Sequence, residues 1–302
     1  MNFWQKPVET LQELLHRHSP HLREVRDFHS SALERDVWLD VYLPPDYHLA
    51  SGRYYPLVLF NDGQDLPRLD FARILAGLYR EKQIPGLLAV GIHASAERTR
   101  EYGTVGRSDY KGRGDKALRY RNFIVEELLP WLHRQFRVSG TRPETAFAGF
   151  SLGALSALDI AWAYPQLFGT AGVFSGSLWW RASPVDPRDP DADRIMHDIV
   201  GSTTRWDPDQ RFWFQCGTLD EEEDRNGNGV IDSIDDTLHL LEELKKKGYP
   251  EANLRYLEVE GGRHEPATWG EVMPDFLRWA FPQDQESPAR KNPADVDRHP
   301  TG

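Results

Sequence analysis

The chain has 302 residues, 39% apolar and 12% aromatic, and a chain of that length buries roughly three quarters of its unfolded surface, which excludes wholesale disorder. Its 36 basic and 47 acidic residues leave a formal net charge of −11, a surface that a nucleic-acid backbone repels. A single cysteine, Cys216, excludes an internal disulfide, a zinc ribbon and an iron–sulfur cluster, and no stretch reaches the roughly 18 to 20 apolar residues that cross a bilayer.

Residues 1–30 read as an N-terminal extension whose polar and charged residues leave no signal-peptide core, so the expected location is the cytoplasm. His16, His18 and His21 lie there without carboxylates in register and are assigned no metal. Short β-branched or apolar runs follow at 37–43, 57–61, 87–92, 145–148, 169–174, 211–215 and 253–259, and they read as strands. The middle runs are apolar throughout, as parallel strands covered on both faces must be. Segments of helical period lie between them. In 116–136, Ile124, Leu128, Leu132 and Phe136 form one apolar stripe, with a kink expected at Pro130. A second helix is expected at 151–164, a third at 233–247 ending in Lys245, Lys246, Lys247 and Gly248, and a last one around 275–281. This alternation predicts one α/β domain over 31–281, with a mostly parallel sheet between helices. The polar, proline-rich 282–302 predicts a disordered tail.

Gly149-Phe150-Ser151-Leu152-Gly153 fits G-x-S-x-G between a strand run and a helix run, the context that exposes a serine on a strained turn. The helix start places the Leu152 N–H beside an oxyanion forming at Ser151. A serine needs an imidazole to take its proton, and in this arrangement the acid and then the histidine follow the serine. His197, His239, His264 and His299 follow Ser151. His264 stands in the turn-rich Gly261-Gly262-Arg263-His264 after the last strand run and is the expected base; His93, which precedes the serine, is the weaker alternative. Asp220, the first carboxylate after the 211–215 strand, is the expected acid, with Glu221, Glu222 and Glu223 close enough to leave a neighbour open. A second oxyanion donor is expected at the Gln64 N–H in Asp62-Gly63-Gln64-Asp65.

With Tyr42-Leu43-Pro44-Pro45-Asp46-Tyr47, Arg98-Thr99-Arg100-Glu101-Tyr102, Glu126-Glu127-Leu128-Leu129-Pro130 and Cys216-Gly217-Thr218-Leu219-Asp220, these motifs make the chain resemble the "Putative esterase" family of α/β hydrolases. That family includes enterochelin esterases, feruloyl esterases and relatives of S-formylglutathione hydrolase. The resemblance implies an α/β-hydrolase fold, a central mostly parallel sheet with helices on both faces. It also implies ester hydrolysis through an acyl-enzyme, with Ser151, His264 and Asp220 as the triad and no cofactor in the chemistry. The family's acid turn is shorter than the stretch from Asp220 to Asp236, and the additional N-terminal domain typical of enterochelin esterases has no counterpart before Val37.

That longer stretch has a pattern of its own. Asp224, Asn226, Asn228, the Val230 carbonyl, Asp232 and Asp235 occupy loop positions 1, 3, 5, 7, 9 and 12, with Gly229 at position 6, the spacing that surrounds Ca²⁺ in an EF-hand. Asp stands at position 12 where Glu is commoner, and no entering helix is evident. The alternative is a polar Asx/Gly turn. A bound ion would be structural, fixing the Asp220 loop.

Trp179 and Trp180 follow a strand at the expected site edge, Trp269 follows His264, and Arg98 leaves another strand there. These four are candidate substrate-binding residues, the tryptophans equally able to cap the core. The expected function is that of a serine carboxylesterase acting on a small-molecule ester. The alternatives are an acyltransferase of the same fold and a non-catalytic, calcium-dependent binding module.

Overall fold

The computed structural model describes residues 17–50, 52–204 and 206–283. Most of the expected extension 1–30 and nearly all of the tail 282–302 lie outside these residues. Eight strands form one sheet in the order β1-β2-β4-β3-β5-β6-β7-β8. They are β1 (His21–Ser30), β2 (Arg35–Leu43), β3 (Leu57–Asn61), β4 (Leu88–Ile92), β5 (Thr145–Phe150), β6 (Thr170–Phe174), β7 (Arg211–Leu219) and β8 (Leu254–Arg263). β1 and β2 run antiparallel to their neighbours, and the remaining six strands are parallel. β3, β4, β5 and β6 are buried along their whole length, which is why their sequences are apolar but for Asn61, Thr145 and Thr170 at strand ends.

Helices cover both faces. On one face lie α1 (Phe71–Arg80) and α6 (Pro266–Ala280), whose Phe71, Leu75, Met273 and Phe276 pack on Phe60 and Trp213. On the other lie α2 (117–135), α3 (Leu152–Ala163), α4 (Ile195–Ser202) and α5 (Asp232–Lys247). α2 joins Ala117–Asn122, a wider π-helical stretch Phe123–Leu128, and Leu129–Gln135. The wide stretch lies just before Pro130, whose ring and missing N–H are incompatible with ordinary helical spacing. α3 is almost wholly buried, and its Gly153, Ala154, Ala157 and Ala161 let it lie close on the sheet.

Four elements depart from the sequence expectation. β1 is an edge strand in which only Val25, Phe28 and Ser30 are buried, so its sequence carries charges and no clean alternation. α1 and α4 also went unread, and α6 begins nine residues before the expected 275. None of the helices among the described residues is long and apolar enough to cross a membrane.

Parallel strands all end at one edge, and that edge gathers the chemistry. The residues after β3, β5, β6 and β7 are Asp62, Ser151, Ser175 and Asp220, and His264 follows β8. Gly63, after β3, crosses β4 so closely that a Cβ would sit 2.3 Å from the Gly91 carbonyl carbon. Gly63→Ala is therefore expected to lower stability by about 1–3 kcal/mol through overpacking. Urea unfolding measures it, and an unchanged midpoint would contradict the close approach.

Candidate active site

Ser151 has φ 56° and ψ −123°, a backbone conformation that non-glycine residues avoid. Its neighbours impose it. The Ser151 N–H donates to the Phe174 carbonyl on β6 at 2.9 Å, its own carbonyl accepts from the Ser177 N–H at 3.2 Å, and α3 starts at the next residue. Both flanking glycines are needed for space: a Cβ on Gly149 would meet the Gly153 carbonyl oxygen at 2.5 Å, and one on Gly153 would meet Asp62 Oδ2 at 2.4 Å. The hydroxyl thus stands at the N-terminus of α3, beside the Leu152 N–H, with Ser177 Oγ 3.4 Å from Ser151 Oγ.

The loop after β3 is tied to this turn from below. Asn61 Nδ2 donates to the Gly153 carbonyl at 2.8 Å, and the Tyr120 hydroxyl donates to Asn61 Oδ1 at 2.5 Å. Asp62, with φ 59°, accepts both arms of the Arg98 guanidinium at 2.7 Å, and Arg98 Nη2 also lies 3.4 Å from the Phe150 carbonyl. Arg98 is thus committed to joining the two loops, while remaining 30% exposed. Gln64 is held by its side chain, which accepts from the Ala94 N–H at 2.9 Å and donates to Asp62 Oδ1. Its backbone N–H lies in the first turn of a 3-10 helix, Gly63–Leu69, where N–H groups have no intrahelical acceptor.

Ser151, Asp220 and His264 line one cavity of about 280 Å³, together with Ser175, Gly176, Ser177, Trp179, Glu221 and Ser233. Asp220 Oδ2 accepts from the Gly217 N–H at 3.0 Å, and its Oδ1 is buried without a hydrogen-bond partner among the described residues. Burial raises the Asp220 pKa above its ordinary value, against the pull of the Gly217 N–H, the Ser175 hydroxyl and His264. Burial likewise lowers that of His264; the Asp220 charge opposes this and the Arg98 charge adds to it. The His264 ring stands edge-on to Trp269 at 5.4 Å and keeps an exposed edge.

Of the candidate substrate-binding residues, Trp179 lines the cavity. Trp180 is fully buried against Gly103 and Gly114, and Trp269 stacks on Phe150 at 4.9 Å while donating from Nε1 to Ser175 Oγ at 3.0 Å. These two support the site from beneath. His93, the weaker base candidate, is paired with Asp40 at 2.8 Å. Sequence reading missed Ser175, with φ 44°, as well as Ser177 and Ser233 as cavity residues, whereas Glu221 stands among the carboxylates that the sequence leaves open as the acid. The signal for Ser175 and Ser177 was available, since Ser175-Gly176-Ser177 follows the strand beside the elbow. Ser233 lies 82 positions beyond Ser151 and enters only because α5 starts at the cavity.

In the 224–235 loop, Asp224 accepts from the Asn228 and Gly229 N–H groups at 3.1 and 2.9 Å, and Gly229 has φ 85°. The Asn226 and Asn228 amides meet the two separate oxygens of Asp235 at 3.0 and 3.1 Å. Val230 follows with its N–H on Asn228 Oδ1. Asp232 instead faces Arg225, through the backbone N–H at 2.9 Å and the guanidinium at 3.2 Å. Asp191, from outside the pattern, reaches Asn226, and its carboxylate, that of Asp235 and the His239 ring offer ligand atoms within 4.8 Å of one another.

The chain matches the family described as "Putative esterase" over residues 30–280. It is 24% identical over 246 residues to the uncharacterized protein YbbA of Bacillus subtilis, covering 80% of this chain and 91% of YbbA. It is 33% identical over 153 residues to the esterase Rv1288 of Mycobacterium tuberculosis, covering 49% of this chain and 31% of that protein. Its fold resembles that of the enterobactin esterase FES from Shigella flexneri, solved in the presence of enterobactin, with a TM-score of 0.68 at 19% identity over 86% of this chain and 58% of that one. The match across residues 30–280 and the α/β-hydrolase sheet place this chain in the "Putative esterase" family, as a carboxylic ester hydrolase.

Proposed function

We propose that the chain cleaves a small-molecule ester by a serine mechanism in which Ser151 is the nucleophile, His264 the base and Asp220 the acid that orients it. The observation that carries this reading is the strained Ser151, at the N-terminus of α3, in one cavity with Asp220 and His264. His264 takes the Ser151 proton as Oγ attacks the ester carbonyl, then gives it to the departing alcohol. The unpartnered Asp220 Oδ1 is the acceptor for the His264 ring N–H and stabilises the imidazolium. The Leu152 and Gln64 N–H groups take the oxyanion. Water, admitted where His264 keeps its exposed edge, then attacks the acyl-enzyme with His264 again as base. That opening favours hydrolysis over transfer to a second alcohol.

Two results test this. Ser151→Ala is expected to lower kcat/KM for 4-nitrophenyl butyrate by at least about 10⁴-fold with the melting temperature little changed; near-full activity would remove Ser151 from the mechanism. The base must be neutral to act, so activity falls as pH drops through the His264 pKa, which burial and Arg98 place below the ordinary 6.5. The acidic limb of kcat/KM should have its midpoint below 6.5, and a midpoint above it would contradict the downward direction set by desolvation and Arg98.

We further propose that the 224–235 loop holds a structural Ca²⁺ through Asp224, Asn226, Asn228, the Val230 carbonyl and Asp235, while Asp232 is turned to Arg225 and stays outside the ligand set. The donors are hard oxygens at EF-hand spacing, and the glycine at position 6 has the positive φ that the turn requires. The ion has no part in the acyl-transfer steps. Calorimetric titration of chelator-treated protein should show one Ca²⁺ site that Asp224→Ala weakens. No heat, with no rise in melting temperature, would reject it.

A further inference from the structure

Buried polar atoms without partners are rare, and each calls for an explanation. Three belong to residues lining the catalytic cavity: Asp220 Oδ1, which the proposed mechanism gives to His264, and Glu221 Oε1 and Ser233 Oγ, both screened from solvent and both without a hydrogen-bond partner among the described residues. Ser233 is only 8% exposed. Their placement follows from the chain: Glu221 is the residue after Asp220, and Ser233 stands in the first turn of α5, whose start returns to the cavity after the 224–235 loop. Burial pushes the Glu221 carboxyl up to about 7, with the nearby carboxylates Asp232, Glu223 and Asp236 raising it further and the Ser233 N–H pulling it down. The group therefore exchanges between donor and acceptor near neutral pH.

The side of the ester that meets this wall follows from the mechanism. His264 must reach the departing oxygen to protonate it, so the alcohol part lies on the His264 side of Ser151, while the oxyanion donors Leu152 and Gln64 mark the other side. Glu221 adjoins Asp220 and so belongs to the alcohol side. We infer that Glu221 and Ser233 form a specificity subsite for a second hydroxyl on the alcohol part of the ester, making esters of polyhydroxy alcohols the preferred substrate class. A hydroxyl brings one donor and two acceptor positions, so it satisfies the carboxyl in either protonation state together with the Ser233 hydroxyl. Because both atoms are screened from solvent, binding turns the Glu221 and Ser233 side chains toward the cavity, where Trp179, also a lining residue, offers an apolar face to the carbon skeleton.

This inference rests on the ester-cleaving reading of the site, and the test separates the two. Hydrolysis of propyl butyrate and glycerol 1-monobutyrate, which share their acyl group, is followed by acid release, and the readout is the ratio of kcat/KM values. A general loss of activity in a variant cancels in that ratio. The wild-type protein should prefer the monobutyrate by about tenfold. Ser233→Ala and Glu221→Ala should each bring the ratio down to about threefold or less, while Glu221→Gln, which keeps a donor and an acceptor, should retain most of it. A wild-type ratio near one, or a ratio unmoved by both alanine variants, overturns the subsite and leaves ester hydrolysis standing. Failure to cleave either ester or 4-nitrophenyl butyrate overturns the ester reading, and the subsite with it.

Discussion

A serine backbone held at φ 56° stores about 1–3 kcal/mol of strain, and the rest of the site is arranged around the residue that carries it. β5 delivers Ser151, β6 takes its N–H, and the buried α3 leaves it no room to relax. The two glycines of the motif are not interchangeable in this design. Gly149 allows the turn to close on its own helix, and Gly153 admits the Asp62 carboxylate from the neighbouring loop. Asp62 in turn is paired with Arg98, so one ion pair fixes the loop after β3 relative to Ser151 and places the guanidinium where it disfavours a proton on His264.

The sequence carried the parts of this arrangement that are local. Runs such as Leu57 to Asn61 and Thr170 to Phe174 are apolar because both faces of the sheet are covered, and their strands fall within a residue or two of expectation. G-x-S-x-G between a strand and a helix was legible because its spacing reflects one tight turn. The matching of His264 and Asp220 to one cavity was also foreseeable, since both follow parallel strands that end at the same edge. Placements set by tertiary packing were not legible. Arg98 reads as a loop cation that could meet substrate, yet it spans two loops; Trp180 and Trp269 read equally as pocket aromatics or core caps, and packing places both beneath the cavity. β1 escaped notice because an edge strand with three buried residues has too little pattern to distinguish it from a polar segment.

The segment between β7 and α5 joins the chemistry to the least family-like part of the chain. It starts at Asp220, forms the oxygen-rich loop and returns through Ser233 to the same cavity. Arg225 anchors it, pairing with Asp191, Asp232 and Asp236, while Arg194 shares Asp236. The buried Asp236 is thus offset by two guanidinium groups, as a buried carboxylate must be if it is to stay charged. The loop that carries Asp220 is therefore braced by these ionic contacts as well as by the Gly217 N–H.

The central claim is that Ser151 is activated by His264, and covalent capture tests it most directly. Intact mass after exposure to a fluorophosphonate should show one adduct on the wild-type protein, none on Ser151→Ala and sharply slower labelling of His264→Ala. An adduct of equal rate in all three, or none on folded wild-type protein, would contradict the account.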